Sequence, residues 1–168
     1  MNRKILCGAG ALGASLFAAM PAWAQDAAAT PTIDKGDTAW MLTSTLLVFL
    51  MILPGLALFY GGLTRSKNML STMTQIGAAA SLAMLIWVMY GYTMAFGEGG
   101  NAFVAGFGKA FLKGVTPDSV SGTIPEYVFV CFQMTFAAIT MALVLGSTVE
   151  RIKFPAVMVF GLIWPTIV

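Results

Sequence analysis

The 168-residue chain is 58% hydrophobic and 10% charged, against roughly 25% charged residues in soluble domains, and its mean hydropathy is +0.84. This is the composition of an integral membrane protein. A net charge of +2 with no basic run excludes nucleic acid as a partner. The absence of His removes the usual neutral-pH proton carrier and the commonest metal ligand. No metal or ATP-binding motif implies a cofactor, so none is expected, and neither a pump nor a redox enzyme fits.

Residues 1–24 read as a secretory leader. Arg3 and Lys4 form its positive start, Ile5 to Met20 its apolar stretch, and Ala22-Trp23-Ala24 a small-x-small cleavage site. An uncleaved anchor is the alternative; Gly8, Gly10, Gly13 and the short apolar length weigh against it. Gln25 to Gly36, rich in Ala, Thr and Pro, then forms an exposed tail of the mature chain, 25–168.

No charge falls between Asp37 and Arg65, which predicts a spanning helix at about 39–62, bent at Pro54-Gly55. Trp40 and Tyr60 fit interfacial anchors at its ends, and Thr64 to Lys67 forms a basic turn. A second charge-free run predicts a helix at about 69–96. In it, Gly77 and Ser81 form a small-xxx-small pair for close helix approach, and Trp87, Tyr90 and Tyr92 read as interface anchors. Gly97 to Pro125 is glycine-rich and too polar to span; Phe103, Phe107 and Phe111, four apart, predict a short surface helix there.

The third helix, about 126–149, carries the strongest pattern. Phe129, Phe132 and Phe136 fall at i, i+3 and i+7, and Gln133 stands one step off the stripe. Ala138, Ala142 and Gly146 recur every fourth residue on the other side, where a neighbour could pack closely. The rings could attract a small cation and deny it water. Equally, an aromatic stripe packs against helices or lipid, and Gln133 could be an interhelical hydrogen-bonding residue. Cys131 reads as a small buried apolar residue, and with Cys7 in the leader no disulfide framework arises.

Glu150 to Lys153 makes a charged turn, and a fourth apolar segment starts at Phe154. It runs about 15 residues to Val168, short of a crossing, so the chain reads as part of a longer protein. With the mature N-terminus outside the cytoplasm, the Arg65/Lys67 and Arg151/Lys153 turns face inward, in keeping with the positive-inside bias.

Several stretches together resemble the ammonium transporter family, bacterial relatives of the Rhesus proteins. They are Asp37-Thr38-Ala39-Trp40, Pro54 to Leu63, Lys67-Asn68, Trp87 to Tyr92, Ala95 to Gly99, Phe132-Gln133-Met134-Thr135-Phe136 and Glu150-Arg151. The resemblance covers nearly everything after the leader. It implies an all-α, polytopic helical bundle, of which this chain is the N-terminal part. The family's fold has eleven helices in two inverted five-helix repeats plus a last helix. The resemblance further implies a homotrimer in the cell inner membrane, with one pore per subunit for ammonium/ammonia. The lipid bilayer surrounds it, and a cytoplasmic regulatory protein belongs to the family pattern.

Position by position, Phe132 matches the phenylalanine of the family's recruitment cage and Phe136 the upper ring of its pore gate. Gln133, Phe129 and Tyr60 are pore or packing neighbours without an assigned role. The family's other cage residues, lower gate ring, pore aspartate and histidine pair fall beyond Val168, and Trp164 comes too early for the cage tryptophan. Deprotonation and passage of ammonia therefore belong to the intact protein. Two other readings of the scaffold are a membrane-bound ammonium sensor and a non-conducting structural or assembly subunit.

Overall fold

The computed structural model describes residues 32–101 and 103–167; the leader expected over residues 1–24 lies outside the described residues. Four apolar helices dominate the rest. The first, α1 (Lys35–Leu63), and the second, α2 (Ser66–Phe96), have 29 and 31 residues. At 1.5 Å per residue they reach about 43 and 46 Å, more than a hydrocarbon core of roughly 30 Å. The third, α3 (Glu126–Thr148), has 23 residues, and α4 (Phe154–Ile167) is a shorter apolar helix of 14.

Asp34 caps α1, its Oδ1 accepting the Asp37 amide at 2.8 Å. Around Pro54, which has no N–H to give, the helix widens into a π turn over Met51–Leu56. A second π turn, Trp87–Gly91, interrupts α2. Both long helices continue beyond these turns, so each bends without breaking.

Small side chains decide where the helices meet. One buried cluster joins α1, α2 and α3 through Ile52, Ala57, Ile76, Ala80, Ala138 and Ala142. A second joins α2, α3 and α4 through Ala79, Ala83, Met141, Leu145 and Val157. Alanine on both sides lets backbones approach and gain dispersion contact that lipid would not supply. The close-packing face of α2 is therefore Ala79, Ala80 and Ala83, not the expected Gly77 and Ser81. Ser81 is exposed and its hydroxyl donates back to the Gly77 carbonyl at 2.8 Å.

The connection after α2 is folded back on itself. Gly106 N–H donates to Gly99 O at 2.5 Å, and Ala105 N–H to Met94 O at 3.1 Å. A Cβ on Gly97 would stand 2.6 Å from the Gly106 carbonyl, so glycine is required for this crossing. Two short strands, β1 (Val120–Ser121) and β2 (Ile124–Pro125), pair antiparallel with Val120 opposite Pro125. Asp34 N–H donates to Thr123 O at 2.8 Å, which fastens this hairpin to the start of α1.

The expected surface helix through Phe103, Phe107 and Phe111 is replaced by a 3₁₀ stretch, Phe107–Leu112, with non-helical backbone at Lys109, Ala110 and Phe111. Phe103 lies outside it, in the turn closed by the Gly100–Ala105 bridge. Glycines 106 and 108 and the positive φ of Phe111, 55°, are incompatible with one regular helix.

Candidate functional site: an aromatic-walled cavity on α3

The aromatic stripe of α3 divides in two. Phe132 and Phe136 meet edge to face, with ring centroids 5.0 Å apart at 69°. Phe129, one turn earlier, is drawn instead to the end of α2, where it meets Phe96 at 5.0 Å and 80°. The stripe needed both i+3 and i+4 steps to stay on one side. Because the backbone turns 100° per residue, neighbouring rings can be claimed by different partners.

Below Phe129, α2, α3 and α4 enclose an open cavity of about 500 Å³. Gln133, Phe136 and Thr140 line it from α3, Trp87, Tyr90 and Phe96 from α2, and Trp164 and Thr166 from α4. Phe103 and Val104 of the connection reach its edge. Phe132 stands beside the cavity, touching it through Phe136. Among the described residues no charged side chain lines it. Its surface combines aromatic faces with an amide and hydroxyls, groups that can meet a small hydrogen-bond-donating cation without a counter-ion.

The π turn of α2 builds one wall. It directs Trp87, Tyr90 and Gly91 to the cavity together, as such bulges often do at functional sites. Trp87 Nε1 donates to the Val130 carbonyl of α3 at 3.2 Å. Tyr90 Oη and Thr166 Oγ1 are hydrogen-bonded at 2.8 Å, closing the wall toward α4. Among the described residues no group of three His, Cys, Asp or Glu could hold a metal ion.

Residues 39–168 match a family model described as the Ammonium Transporter Family. The chain belongs to this family. An ammonium transporter of Bacillus subtilis (strain 168) is 45% identical over 138 residues, 81% of this chain and 34% of that protein. A putative ammonium transporter of Methanothermobacter thermautotrophicus is 42% identical over 134 residues, 79% of this chain and 33% of that protein. Among solved structures, Mep2 of Candida albicans superposes with a TM-score of 0.71 at 36% identity, over 82% of this chain and 30% of that one. The chain thus spans about a third of the length of the curated relatives it matches. The family is one of transporters, not enzymes, and the fold is part of the membrane-helix bundle of its members.

Several side chains of this family member stand elsewhere than sequence periodicity suggests. The Tyr60 ring lies across Gly146 on α3, ten residues beyond Phe136 and so about 15 Å along the helix. It is a packing residue remote from the cavity. Tyr92 is 3% exposed instead of interfacial, and its hydroxyl donates to Glu126 Oε1 at 2.7 Å. Cys131 is exposed, contrary to a buried reading, because it faces away from both helix-packing clusters.

Glu126, the charged flank of the third apolar run, has no role that periodicity assigns. It is the first residue of α3, 7% exposed, and its carboxylate takes the Lys109 ammonium at 2.7 Å as well as the Tyr92 hydroxyl. The available signal was a carboxylate adjoining a 23-residue apolar run with Lys109 and Lys113 in the preceding connection. At the other end of the bundle, Glu150 Oε1 accepts from Asn68 Nδ2 at 2.8 Å, the Arg65 amide at 3.1 Å and Arg65 Nε at 3.3 Å. The Asn68 amide, followed by the Arg65 backbone, holds that carboxyl below its ordinary value.

Proposed function

We propose that this chain is part of a transporter that moves ammonium/ammonia across the cell inner membrane, with Phe132 recruiting the cation and Phe136 gating its passage. The observation that carries the reading is Phe136: it pairs edge-on with Phe132, is 44% exposed, and lines the uncharged aromatic cavity together with Gln133. Family membership over residues 39–168 supports the substrate.

Ammonium and potassium are nearly equal in size, so a size filter separates them poorly. Ammonium alone donates hydrogen bonds and can lose its charge. Aromatic faces attract the cation, hydroxyl and amide oxygens accept its protons, and a dry passage beyond favours the species that becomes neutral. Phe129 supports this indirectly, as the ring that backs Phe96.

In this reading the mature N-terminus lies outside the cytoplasm and the Arg65–Glu150 contact lies at the cytoplasmic face. The whole protein is a homotrimer, with a cytoplasmic regulatory protein acting on that face. The test is uptake of methylammonium by the full-length protein in cells or vesicles. An aromatic pair contributes about 0.5–1.5 kcal/mol, so Phe136→Ala is expected to change the uptake KM or the inhibition by potassium about two- to tenfold. An unchanged uptake and selectivity profile overturns the gate assignment. A wild-type protein that takes up no methylammonium overturns transport itself.

A further inference from the structure

We propose that Glu126 is a positioning residue: through Tyr92 it fixes the α2 wall of the cavity and so sets the affinity for the transported cation. The inference rests on the transport reading above, and concerns a residue that touches neither Phe132 nor Phe136.

The contacts run in one continuous series. Glu126 Oε1 accepts the Tyr92 hydroxyl at 2.7 Å and the Lys109 ammonium at 2.7 Å. The Tyr92 ring packs at 5.6 Å against Phe96 and at 6.1 Å against Trp87, and both of these line the cavity. Phe96 also meets Trp87 at 6.2 Å and Phe129 at 5.0 Å. One carboxylate therefore holds the ring against which the cavity's aromatic wall leans.

Apolar packing alone does not call for this arrangement. A phenylalanine at 92 would fill the same space, and a buried carboxylate is costly unless fully paired. The Glu126 carboxylate is compensated: Lys109 neutralises it, and the same Oε1 accepts the Tyr92 hydroxyl. The same ion pair holds the connection in place. Lys109 N–H donates to Thr93 Oγ1 at 3.1 Å, next to Tyr92. Two residues on, Phe111 and Leu112 have φ of 55° and 57°, a region unfavourable for bulky side chains that persists when the surroundings over-determine it. Phe103 and Val104, at the cavity's edge, belong to this connection. The Glu150 network offers an internal control, because it is another carboxylate clasp at the opposite end and none of its residues lines the cavity.

The test measures methylammonium uptake against concentration in the full-length protein, normalised to protein in the membrane. Glu126→Ala is expected to raise KM about three- to tenfold with the maximal rate within about twofold, since displacing a wall is felt in binding. Tyr92→Phe is expected to raise KM less. Glu126→Gln keeps an acceptor for Tyr92 and is expected to restore most of the affinity, and Glu150→Gln to leave KM unchanged. An unchanged KM in Glu126→Ala, or equal effects of Gln and Ala at 126, overturns the proposal. Should Glu126→Ala fail to reach the membrane, Tyr92→Phe decides, because it preserves volume.

A readout independent of transport separates this proposal from the reading on which it rests. In a background without other cysteines, thiol labelling of Ala95→Cys, a cavity-lining position, is expected to change about threefold when Glu126 becomes Ala. Unchanged labelling overturns the positioning role whatever uptake shows.

Discussion

Gly146→Ala probes the α1–α3 contact with a single methyl group. A Cβ at this position would overlap Cε1 and Cζ of Tyr60 and stand 2.6 Å from its Oη. Van der Waals contact needs roughly 3.5 Å, so the ring must withdraw by about 1 Å or the helices must part. Over-packing of this kind costs about 1–3 kcal/mol, offset by about 0.5–1 kcal/mol because alanine orders a helix at lower entropic cost than glycine.

Taken at the middle of both ranges, the expected net loss is roughly 1 kcal/mol. The sign should reverse in a Tyr60→Leu background, where the methyl meets no ring and the propensity gain of up to about 1 kcal/mol remains. Unfolding of the full-length protein in detergent, followed as a four-variant cycle, reads the coupling directly. The reasoning is refuted if Gly146→Ala is as stable as the parent, or if its effect is the same in both backgrounds.

Thr93→Val should be costly despite equal volume. Thr93 is buried, its hydroxyl donates to Gly106 O at 2.8 Å and accepts the Lys109 amide at 3.1 Å, so both partners are left unpaired at about 1–3 kcal/mol, measurable as a lower unfolding midpoint. Glu150→Gln should show a pH-dependent deficit. Because hydrogen bonds from Asn68 and the Arg65 amide lower the folded-state pKa of Glu150, its contribution is fully present above the unfolded carboxylate value of about 4.3 and is lost as pH falls through the folded value. The melting-temperature gap between parent and variant should be constant near neutrality and shrink below about pH 4; a gap unaffected by acid refutes the assignment.

The helices were legible because membrane spans obey a simple demand: backbone groups pair within the segment and side chains are apolar over its length. The charge-free runs flanked by Asp37 and Arg65, or by Glu126 and Glu150, carry that signal without knowledge of neighbours. The Ala138–Ala142 face was legible for the same reason, since a periodic row of small residues is local information, and both alanines are fully buried. Motifs such as Phe132-Gln133-Met134-Thr135-Phe136 carried the family.

Partner choice was not legible. Nothing in the periodicity of α3 says that Phe129 turns to Phe96 while Phe132 keeps Phe136. Trp87 and Tyr92 have the amphipathic chemistry of interface anchors, yet each spends its polar atom inside the protein, on Val130 O and Glu126. The difference comes from the connection, which folds Lys109 back over the bundle end and supplies the charge that lets Glu126 be buried.

The sequence by itself determined that this is a membrane-spanning, all-α chain of the ammonium transporter family, because hydrophobic length, charge placement and motif order are properties of contiguous residues. The tertiary structure alone decided which rings wall the cavity and which carboxylate braces them. Those pairings join residues 17 to 76 positions apart, as in Lys109 with Glu126, Trp87 with Val130 and Tyr90 with Thr166, and an apolar helix offers several faces of nearly equal hydrophobicity, so lipid does not choose between them and packing does.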